Sequence, residues 1–310
     1  MPVYIIILII ILLIILVISW ILSSLIIKPK VLDYDELYDY EVKAGRLDEQ
    51  LYNSWDKEEF SVKSIYGYSL SCMLINNELS KKQFNQPNKK KKIAIILHGW
   101  TKGKLSSMVY AKYFLEWGIT VLAYDHRNHG LSDKAYTTMG YYEKFDLQTI
   151  IDWCYIKYDS NVSIVTHGES MGAATVISHL AIDGRVNLII ADCGFSDFNE
   201  LVKYIIKNTY HLPQFPFVFL CKLITRLRTG FPIKHVVPKE ALMIIDKPIL
   251  FIHGLDDDFI PSSMSEEMYN IKPEKKEIFL VPGAGHAASV TTEPEGYKEV
   301  INDFLDKHNY

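Results

Sequence analysis

The chain has 310 residues, of which 49% are hydrophobic and 23% charged, and its formal net charge is −4. These values exclude a disordered tail and are typical of a globular protein of enzyme size. They also argue against nucleic acid as a partner, because nucleic-acid-binding proteins normally carry a positive surplus. The one basic run, four lysines at 89–92, precedes an apolar segment, and we interpret it as a solvated loop.

The first element is an apolar segment at residues 3–27, which contains no charged residue and consists mostly of Ile and Leu. As a helix it is long enough to cross a bilayer core of about 30 Å. A cleaved signal peptide needs a basic start, a shorter apolar core and small residues at a cleavage site, and this segment has none of them. We therefore predict an uncleaved transmembrane anchor over residues 1–28, with a helix buried in the core as the alternative.

The sequence does not decide on which side of the membrane the rest of the chain lies. Only Lys28 and Lys30 follow the apolar segment, and Asp33, Asp35 and Glu36 come soon after them. Under the positive-inside rule the two lysines favour a cytoplasmic domain, but they are too few to fix the orientation. The predicted localisation is a single-pass membrane protein whose side is left open.

Residues 29–58 are acidic and aromatic, and we interpret them as a helical connection. Two β-rich segments on either side of Gly67 then predict an antiparallel hairpin. Short runs dense in Ile, Val and Leu follow, alternating with helical patterns, and they begin at Ile93, Ile119, Val162, Asn187, Pro248 and Glu277. Such runs indicate strands buried on both faces. The predicted fold is α/β, with a mostly parallel sheet after an antiparallel hairpin and helices on both faces.

The alternation of strands and helices is interrupted at residues 196–240, where four prolines and several aromatic residues occur without a clear strand. A compact domain rarely contains so long a loop, so we predict a small helical insertion over the edge of the sheet. We call this insertion the cap. The predicted domain organisation is an anchor at 1–28, a connection at 29–58 and one domain at 59–310 that includes the cap.

The stretch VSIVTHGESMG, residues 162–172, places Ser170 between an apolar strand and a run of small helix-forming residues. Gly168 and Gly172 permit a sharp turn and close packing of the helix on the strand, so that the hydroxyl stands above the sheet. The five-residue pattern G-x-S-x-G is weak by itself. In this strand–turn–helix context it predicts a nucleophile, with a helix-capping serine as the alternative.

A serine nucleophile needs a base and a third group that orients the base. The buried strand at 248–254 is followed by three aspartates, Asp256, Asp257 and Asp258, and the strand at 277–283 leads into a loop that ends at His286. The order Ser, Asp, His along the chain is one known for such triads. His286 is the one histidine that follows the last strand closely, and we predict it to be the base.

Taken together, these motifs resemble the α/β-hydrolase superfamily, and more narrowly the bacterial membrane-anchored serine hydrolases related to dienelactone-hydrolase and prolyl-oligopeptidase-type esterases. The resemblance extends from about Phe60 to the C-terminus, through LHGW, YDHRNHGLS, HGESMG, IHGLDDDFIP and PGAGH in that order. In the family pattern the acid lies four residues after the histidine of IHG, which implies Asp257. The resemblance also implies an α/β-hydrolase fold.

The resemblance further implies that the backbone N–H groups of Trp100 and Met171 form the oxyanion hole. The Trp100 side chain is expected to line the acyl pocket, with a merely packed indole as the alternative. The loop containing Asp125, His126 and Arg127 is implied to be structural. The predicted chemistry needs no cofactor, and we find no metal-binding spacing such as HExxH.

The expected function is hydrolysis of a carboxylic ester through an acyl-enzyme on Ser170, with a thioester or a lipid ester left open. Peptidase or amidase activity of the prolyl-oligopeptidase-related type is an alternative, although those relatives carry a large extra domain for which 310 residues leave no space. A non-catalytic binding protein on the same fold is another. The expected partners are a small-molecule or lipid ester and, through the N-terminal helix, a membrane; the oligomeric state is open.

Overall fold

The N-terminal helix α1 (Val3–Ile27) is the longest element of the computed structural model, which describes residues 2–87, 89–244 and 246–310. Its first half is largely exposed, and from Ile15 onward some of its side chains pack against the cap. By length and hydropathy it is the one helix among these residues that could cross a membrane. It is therefore a candidate membrane anchor.

Eight strands within the described residues form a single sheet. They are β1 (Asp56–Lys63), β2 (Ser69–Asn76), β3 (Lys91–Leu97), β4 (Thr120–Tyr124), β5 (Val162–Glu169), β6 (Leu188–Asp192), β7 (Ile249–Gly254) and β8 (Lys276–Val281). The order across the sheet is β1-β2-β4-β3-β5-β6-β7-β8. Strand β2 pairs antiparallel with β1 and with β4, and the other pairs are parallel. The predicted mostly parallel sheet with an antiparallel start is confirmed.

Helices connect the strands and pack on the sheet. They are α2 (Tyr34–Lys43), α3 (Glu49–Ser54), α4 (Glu78–Phe84), α5 (Met108–Glu116), α6 (Glu143–Lys157), α7 (Met171–His179), α8 (Phe198–Asn208), α9 (Gln214–Thr229), α10 (Pro238–Ala241), α11 (Ser263–Ile271), α12 (Ser289–Thr292) and α13 (Pro294–Lys307). Strand β1 begins at Asp56, within the interval 29–58 that was interpreted as a helical connection. Its first residues are charged and mostly exposed on an edge strand, so the sequence there lacks an apolar signal.

Alternate residues of the central strand β3 face opposite layers of the core. Ile93, Ile95 and Leu97 pack in one apolar cluster with residues of α6 and α7. Ala94 and Ile96 belong to a second cluster with residues of α5 and α13. Because side chains alternate along a strand, burial on both faces requires an unbroken apolar run. This explains why these strands show no polar alternation in the sequence.

The cap includes the helices α8 and α9, in line with the helical insertion predicted for this interval. Asp197 caps the start of α8, and its carboxylate accepts hydrogen bonds from the backbone N–H groups of Asn199 and Glu200. Helix α9 packs along α1, and the hydroxyl of Thr225 donates to the hydroxyl oxygen of Ser23 at 3.1 Å. The second half of α1 is thus part of the folded body, beside the carboxyl ends of the strands.

Candidate active site

Ser170 forms the turn between β5 and α7. Its backbone has a φ of 57° and a ψ of −113°, a strained conformation for a residue other than glycine. A Cβ at Gly168 would overlap the backbone of Gly172, and a Cβ at Gly172 would overlap the carbonyl of Leu97. The two glycines are therefore required by the close approach of α7 to the sheet, and the turn holds the serine side chain at the carboxyl end of β5.

His286 lies between Ser170 and Asp257 and bonds to both. Its Nε2 is 3.0 Å from Oγ of Ser170, and its Nδ1 is 2.7 Å from Oδ2 of Asp257. His286 follows β8 and Asp257 follows β7, so parallel strands that end at one edge of the sheet bring them together. We assign the imidazole proton to Nδ1, which faces the carboxylate, and this leaves Nε2 free to accept the serine proton.

Of the three successive aspartates, Asp257 alone is buried; it is 7% exposed, whereas Asp256 and Asp258 are exposed. Its Oδ1 accepts the backbone N–H of Phe259 at 3.0 Å and that of Ile260 at 2.8 Å. Its other oxygen is thereby directed towards the imidazole. The geometry thus selects one carboxylate from a run in which the sequence offered three.

A second histidine, His253 at the end of β7, also contacts Asp257. Its Nε2 is 3.1 Å from Oδ2 of Asp257 and 2.9 Å from the carbonyl oxygen of Ile260, and its Nδ1 is 2.7 Å from the hydroxyl of Ser265. Because both neighbours of Nε2 are acceptors, Nε2 carries the proton. Burial opposes ionisation of Asp257, but hydrogen bonds from His253 and His286 outweigh it and hold the pKa of Asp257 well below its usual value.

The backbone segments of Trp100 and Met171 adjoin Ser170. Met171 is the first residue of α7, so its N–H belongs to the first turn, where backbone donors have no partner within the helix. Gly99 precedes Trp100, and a Cβ on Gly99 would lie 3.4 Å from Cβ of Ser170. Both backbone segments therefore border the surroundings of the Ser170 side chain.

Two cavities open at Ser170, and Trp100 and Phe259 border both of them. The indole of Trp100 stacks on the ring of Phe259, with 6.3 Å between centroids and 10° between planes. One cavity is almost wholly apolar and extends between Met171, the cap and α1. The other is less apolar and is bordered by charged residues that include Arg46 and Lys102, and we call it the polar cavity. A substrate bound at Ser170 therefore meets an apolar region on one side and charged groups on the other.

Arg46, in the segment between α2 and α3, connects two loops of the site. Its Nη2 donates to Oε2 of Glu169 at 2.6 Å, and its Nη1 donates to the carbonyl oxygen of Ala287 at 2.7 Å. Glu169 directly precedes Ser170 and Ala287 directly follows His286, so one guanidinium links the neighbours of both. Arg46 was not predicted from the sequence, because it lies outside every motif and its partners are distant in the chain.

Glu169 is buried beside Ser170 and bonds to groups other than the imidazole. It accepts hydrogen bonds from Arg46 and, at 2.5 Å, from the hydroxyl of Tyr110. Burial opposes its ionisation, but the charge of Arg46 and the bond from Tyr110 outweigh burial and lower the pKa of Glu169. Glu169 is thus a charged support of the turn at Ser170.

Arg46→Met is expected to lower the free energy of unfolding by about 3–5 kcal/mol, because it leaves the buried carboxylate of Glu169 without its ion-pair partner. Urea unfolding of the full chain in detergent would measure the loss. The control is Lys298→Met, which removes the more exposed ion pair with Glu116 and should cost at most about 1 kcal/mol. Equal losses in the two variants would contradict the support assigned to Arg46.

Two other histidines at strand ends are packed in the core. Nδ1 of His98 is 2.8 Å from the carbonyl oxygen of Gly99, and Nε2 of His167 is 2.7 Å from the hydroxyl of Tyr297. Burial lowers the pKa of His98 to about 4 and that of His167 to about 3. Both are therefore neutral at pH 7 and act in packing.

The loop of Asp125, His126 and Arg127 is buried and forms hydrogen bonds with residues of neighbouring elements. The carboxylate of Asp125 accepts the backbone N–H of Lys104 at 2.6 Å and its ammonium at 3.1 Å. Arg127 donates through Nε to Asp146 at 2.7 Å. These bonds hold the loop against neighbouring elements, which is the structural role implied by the resemblance.

One group of potential metal ligands is found among the described residues, formed by Cys193, Asp257 and His286, whose donor atoms lie within 4.8 Å of one another. Burial, with the nearby charge of Asp192, raises the pKa of the Cys193 thiol well above its usual value. A protonated thiol is a poor metal ligand, and the other two groups already bond to each other. We therefore assign no metal to this group.

Comparison with known proteins places the chain among hydrolases. A model of the family described as serine aminopeptidase, S33, matches residues 88–210. The uncharacterized protein YqkD of Bacillus subtilis is 32% identical over 292 residues, which are 93% of this chain and 92% of YqkD. The uncharacterized membrane protein YNL320W of Saccharomyces cerevisiae is 26% identical over 200 residues, covering 62% of this chain and 63% of the yeast protein.

Solved structures share the fold. The esterase Pf2001 of Pyrococcus furiosus superposes with a TM-score of 0.66 at 24% identity, covering 82% of this chain and 92% of the esterase. The sheet order, the strained turn at Ser170 and these similarities all indicate the same fold. The chain belongs to the α/β-hydrolase superfamily, in one family with YqkD.

Proposed function

We propose that the protein is a serine esterase that cleaves a carboxylic ester through an acyl-enzyme on Ser170. The observation that carries this proposal is the continuous hydrogen-bonded chain from the hydroxyl of Ser170 through His286 to Asp257, on a backbone turn that is strained at the serine. Side chains on three separate loops meet there, and their order of contact is the one that activates a serine.

In the first half of the proposed reaction, Nε2 of His286 takes the hydroxyl proton while Oγ of Ser170 bonds to the ester carbonyl carbon. The carbonyl oxygen becomes an oxyanion, which the N–H groups of Trp100 and Met171 stabilise. Asp257 holds the imidazole and stabilises its positive charge. When the bond to the alkoxy group breaks, His286 returns the proton to that oxygen, and an alcohol leaves.

In the second half, water replaces the alcohol. His286 takes a proton from the water as its oxygen attacks the acyl carbon, and a second tetrahedral oxyanion forms at the same donors. The bond between the acyl carbon and Oγ of Ser170 then breaks, and the proton returns from the imidazole to the serine. The products of the full cycle are one carboxylic acid and one alcohol, and the enzyme is regenerated.

The two cavities support an ester with an apolar acyl group and a polar leaving group. The apolar cavity, bordered by Trp100 and Met171, suits an acyl chain. The polar cavity, bordered by Arg46, Lys102 and His286, suits the alcohol, which has to reach the imidazole for its proton. A thioester with the same acyl group fits the same arrangement.

Peptidase activity is the second candidate, because the matching family model is described as serine aminopeptidase. The apolar cavity favours the ester. The two candidates are separated by comparing turnover of p-nitrophenyl esters with that of aminoacyl-naphthylamides by the same preparation. A preference for the amides would support peptidase activity in place of esterase activity, with Ser170 still the proposed nucleophile.

Covalent labelling tests the proposed function directly. A fluorophosphonate probe is expected to label the wild-type chain and to leave Ser170→Ala unlabelled, because the probe reacts with an activated serine hydroxyl. Ser178→Ala, on the helix that follows the turn, should be labelled like the wild type. A folded wild-type chain that resists the probe would overturn the proposal.

A further inference from the structure

The candidate membrane helix contributes a wall of the apolar cavity at Ser170. Leu22, Leu25 and Ile26 of α1 border this cavity together with side chains of α8 such as Leu201 and Ile205. Membrane anchoring alone does not require a helix to border the cavity at Ser170. Here the last turns of α1 are part of the surface that an acyl chain would contact.

Helix α9, which packs against α1, carries an exposed apolar stripe. We define the stripe as Phe215, Phe219, Leu223 and Leu227, which follow one another at intervals of four residues and are 79%, 59%, 42% and 77% exposed. The spacing places Phe219, Leu223 and Leu227 on one side of the helix, and Phe215 precedes them at its start, where the backbone is extended. Apolar side chains grouped in this way are uncommon on a surface exposed to water, and they mark an interaction site.

The C-terminal end of the stripe lies near exposed apolar side chains of α1. The guanidinium of Arg228 lies 4.2 Å from the ring centroid of Trp20, and its Nη1 donates to the hydroxyl of Ser24 at 2.8 Å. Leu227 is the neighbour of Arg228, and Val17 and Trp20 on α1 are exposed. Both helices therefore expose apolar side chains in this region, where the amphipathic Trp20 lies beside polar groups.

The length of α1 requires the cap to approach the bilayer. A bilayer core of about 30 Å needs about 20 helical residues at 1.5 Å each. The part of α1 that precedes the first contact with the cap, at Ile15, has only 12 residues, or about 18 Å. If α1 spans the core, the residues of α1 that pack against the cap lie partly within the membrane. Helix α9, which packs against them, therefore lies at the membrane interface. Interfacial helices bury their apolar faces to a depth of about 5–10 Å.

Cationic side chains border the stripe. Lys222, Arg226 and Lys234 line a surface groove together with Phe219 and Leu223. At a membrane surface the long side chains of Lys and Arg keep their charges among the head groups while their stems cover apolar surface. Charges beside an exposed apolar stripe therefore fit the head-group region of a lipid leaflet.

We propose that α9 docks in one leaflet of the bilayer through its stripe and that the substrate is a long-chain acyl ester resident in that leaflet. The acyl chain enters the apolar cavity between α1 and the cap, and the ester carbonyl reaches Ser170. This substrate class rests on the proposed esterase function. The docking of α9 rests on separate observations, namely the stripe, its nearness to exposed side chains of α1 and the length of α1.

Docking is tested with the full chain reconstituted in vesicles of phosphatidylcholine with a minor share of phosphatidylglycerol. An environment-sensitive fluorophore is attached through Phe219→Cys or, as the control, through Ile156→Cys on α6, where the isoleucine is 79% exposed. The four native cysteines are buried, and the unsubstituted chain gives the background of labelling. Doxyl-labelled lipids should quench the fluorophore at position 219 and leave that at 156 unaffected. Equal behaviour of the two would overturn the docking.

Substrate delivery is tested by the ratio of two rates, that for a long-chain ester embedded in the vesicles and that for a soluble short-chain p-nitrophenyl ester. Phe219→Asp combined with Leu223→Asp is expected to lower this ratio by about tenfold or more, because charges on the stripe oppose insertion. Ile156→Asp should leave both rates as in the wild type. An unchanged ratio in the double variant would overturn the inference, with the esterase function intact. Failure of the wild type to cleave either ester would instead overturn the function.

Discussion

His286→Ala is expected to lower kcat for ester hydrolysis by about 10⁶-fold, because the serine hydroxyl loses the base that lies 3.0 Å away. Loss of the base leaves the oxyanion donors and the binding cavities in place, so weak substrate binding should persist. Steady-state kinetics with a soluble p-nitrophenyl ester would measure kcat, and binding of a non-hydrolysable ether analogue would measure affinity.

The control for this variant is His211→Ala, which alters an exposed histidine of the cap. It should turn over the ester like the wild type. Because His286 is only partly buried, its truncation should leave the near-UV circular dichroism spectrum unchanged, and that measurement separates lost catalysis from lost folding. Wild-type turnover by a folded His286→Ala chain would remove this histidine from the mechanism.

Asp257→Asn is expected to lower kcat by about 10⁴-fold while leaving the fold intact. An asparagine can still accept the backbone N–H groups that Oδ1 accepts now. Its amide nitrogen, turned towards His286, would donate to Nδ1 and so place the imidazole proton on Nε2. In that tautomer the nitrogen beside Ser170 cannot take the hydroxyl proton. The loss should therefore be seen in kcat much more than in KM.

The neighbouring aspartates provide matched controls. Asp256→Asn and Asp258→Asn remove the same charge from the same loop, but both side chains are exposed, so each variant should keep near wild-type turnover. A large loss in either of them, with Asp257→Asn active, would reassign the triad acid. This experiment decides among three carboxylates that the sequence left adjacent and alike.

Local patterns predicted much of the fold and the identity of the candidate site residues. Unbroken apolar runs predicted parallel strands because both faces of such a sheet are buried. The glycines on both sides of Ser170 predicted the turn, since only a residue without Cβ fits the close contact with α7. The positions of the three aspartates and of His286 after buried strands predicted that an acid and the base would meet, because the carboxyl ends of parallel strands share one edge, and the family resemblance implied Asp257 among the three.

Contacts between segments distant in the chain were beyond the reach of those patterns. Arg46 bonds to residues 123 and 241 positions away, and no motif connects them. The contact of His253 with Asp257 depends on the path of the loop after β7. The apolar segment at the N-terminus predicted a membrane helix, yet nothing in its composition indicated that its last turns would line the cavity at Ser170.

The sequence by itself determined the type of most strands and helices, the serine turn and the candidate base, because these follow from side-chain periodicity, from local steric limits and from position after the last strand. The tertiary structure alone decided which of three aspartates faces the imidazole, which cation supports Glu169, and that α1 and the cap enclose the apolar cavity. Those features depend on the folded path of the chain, which brings remote groups within a few ångströms and excludes water from around them.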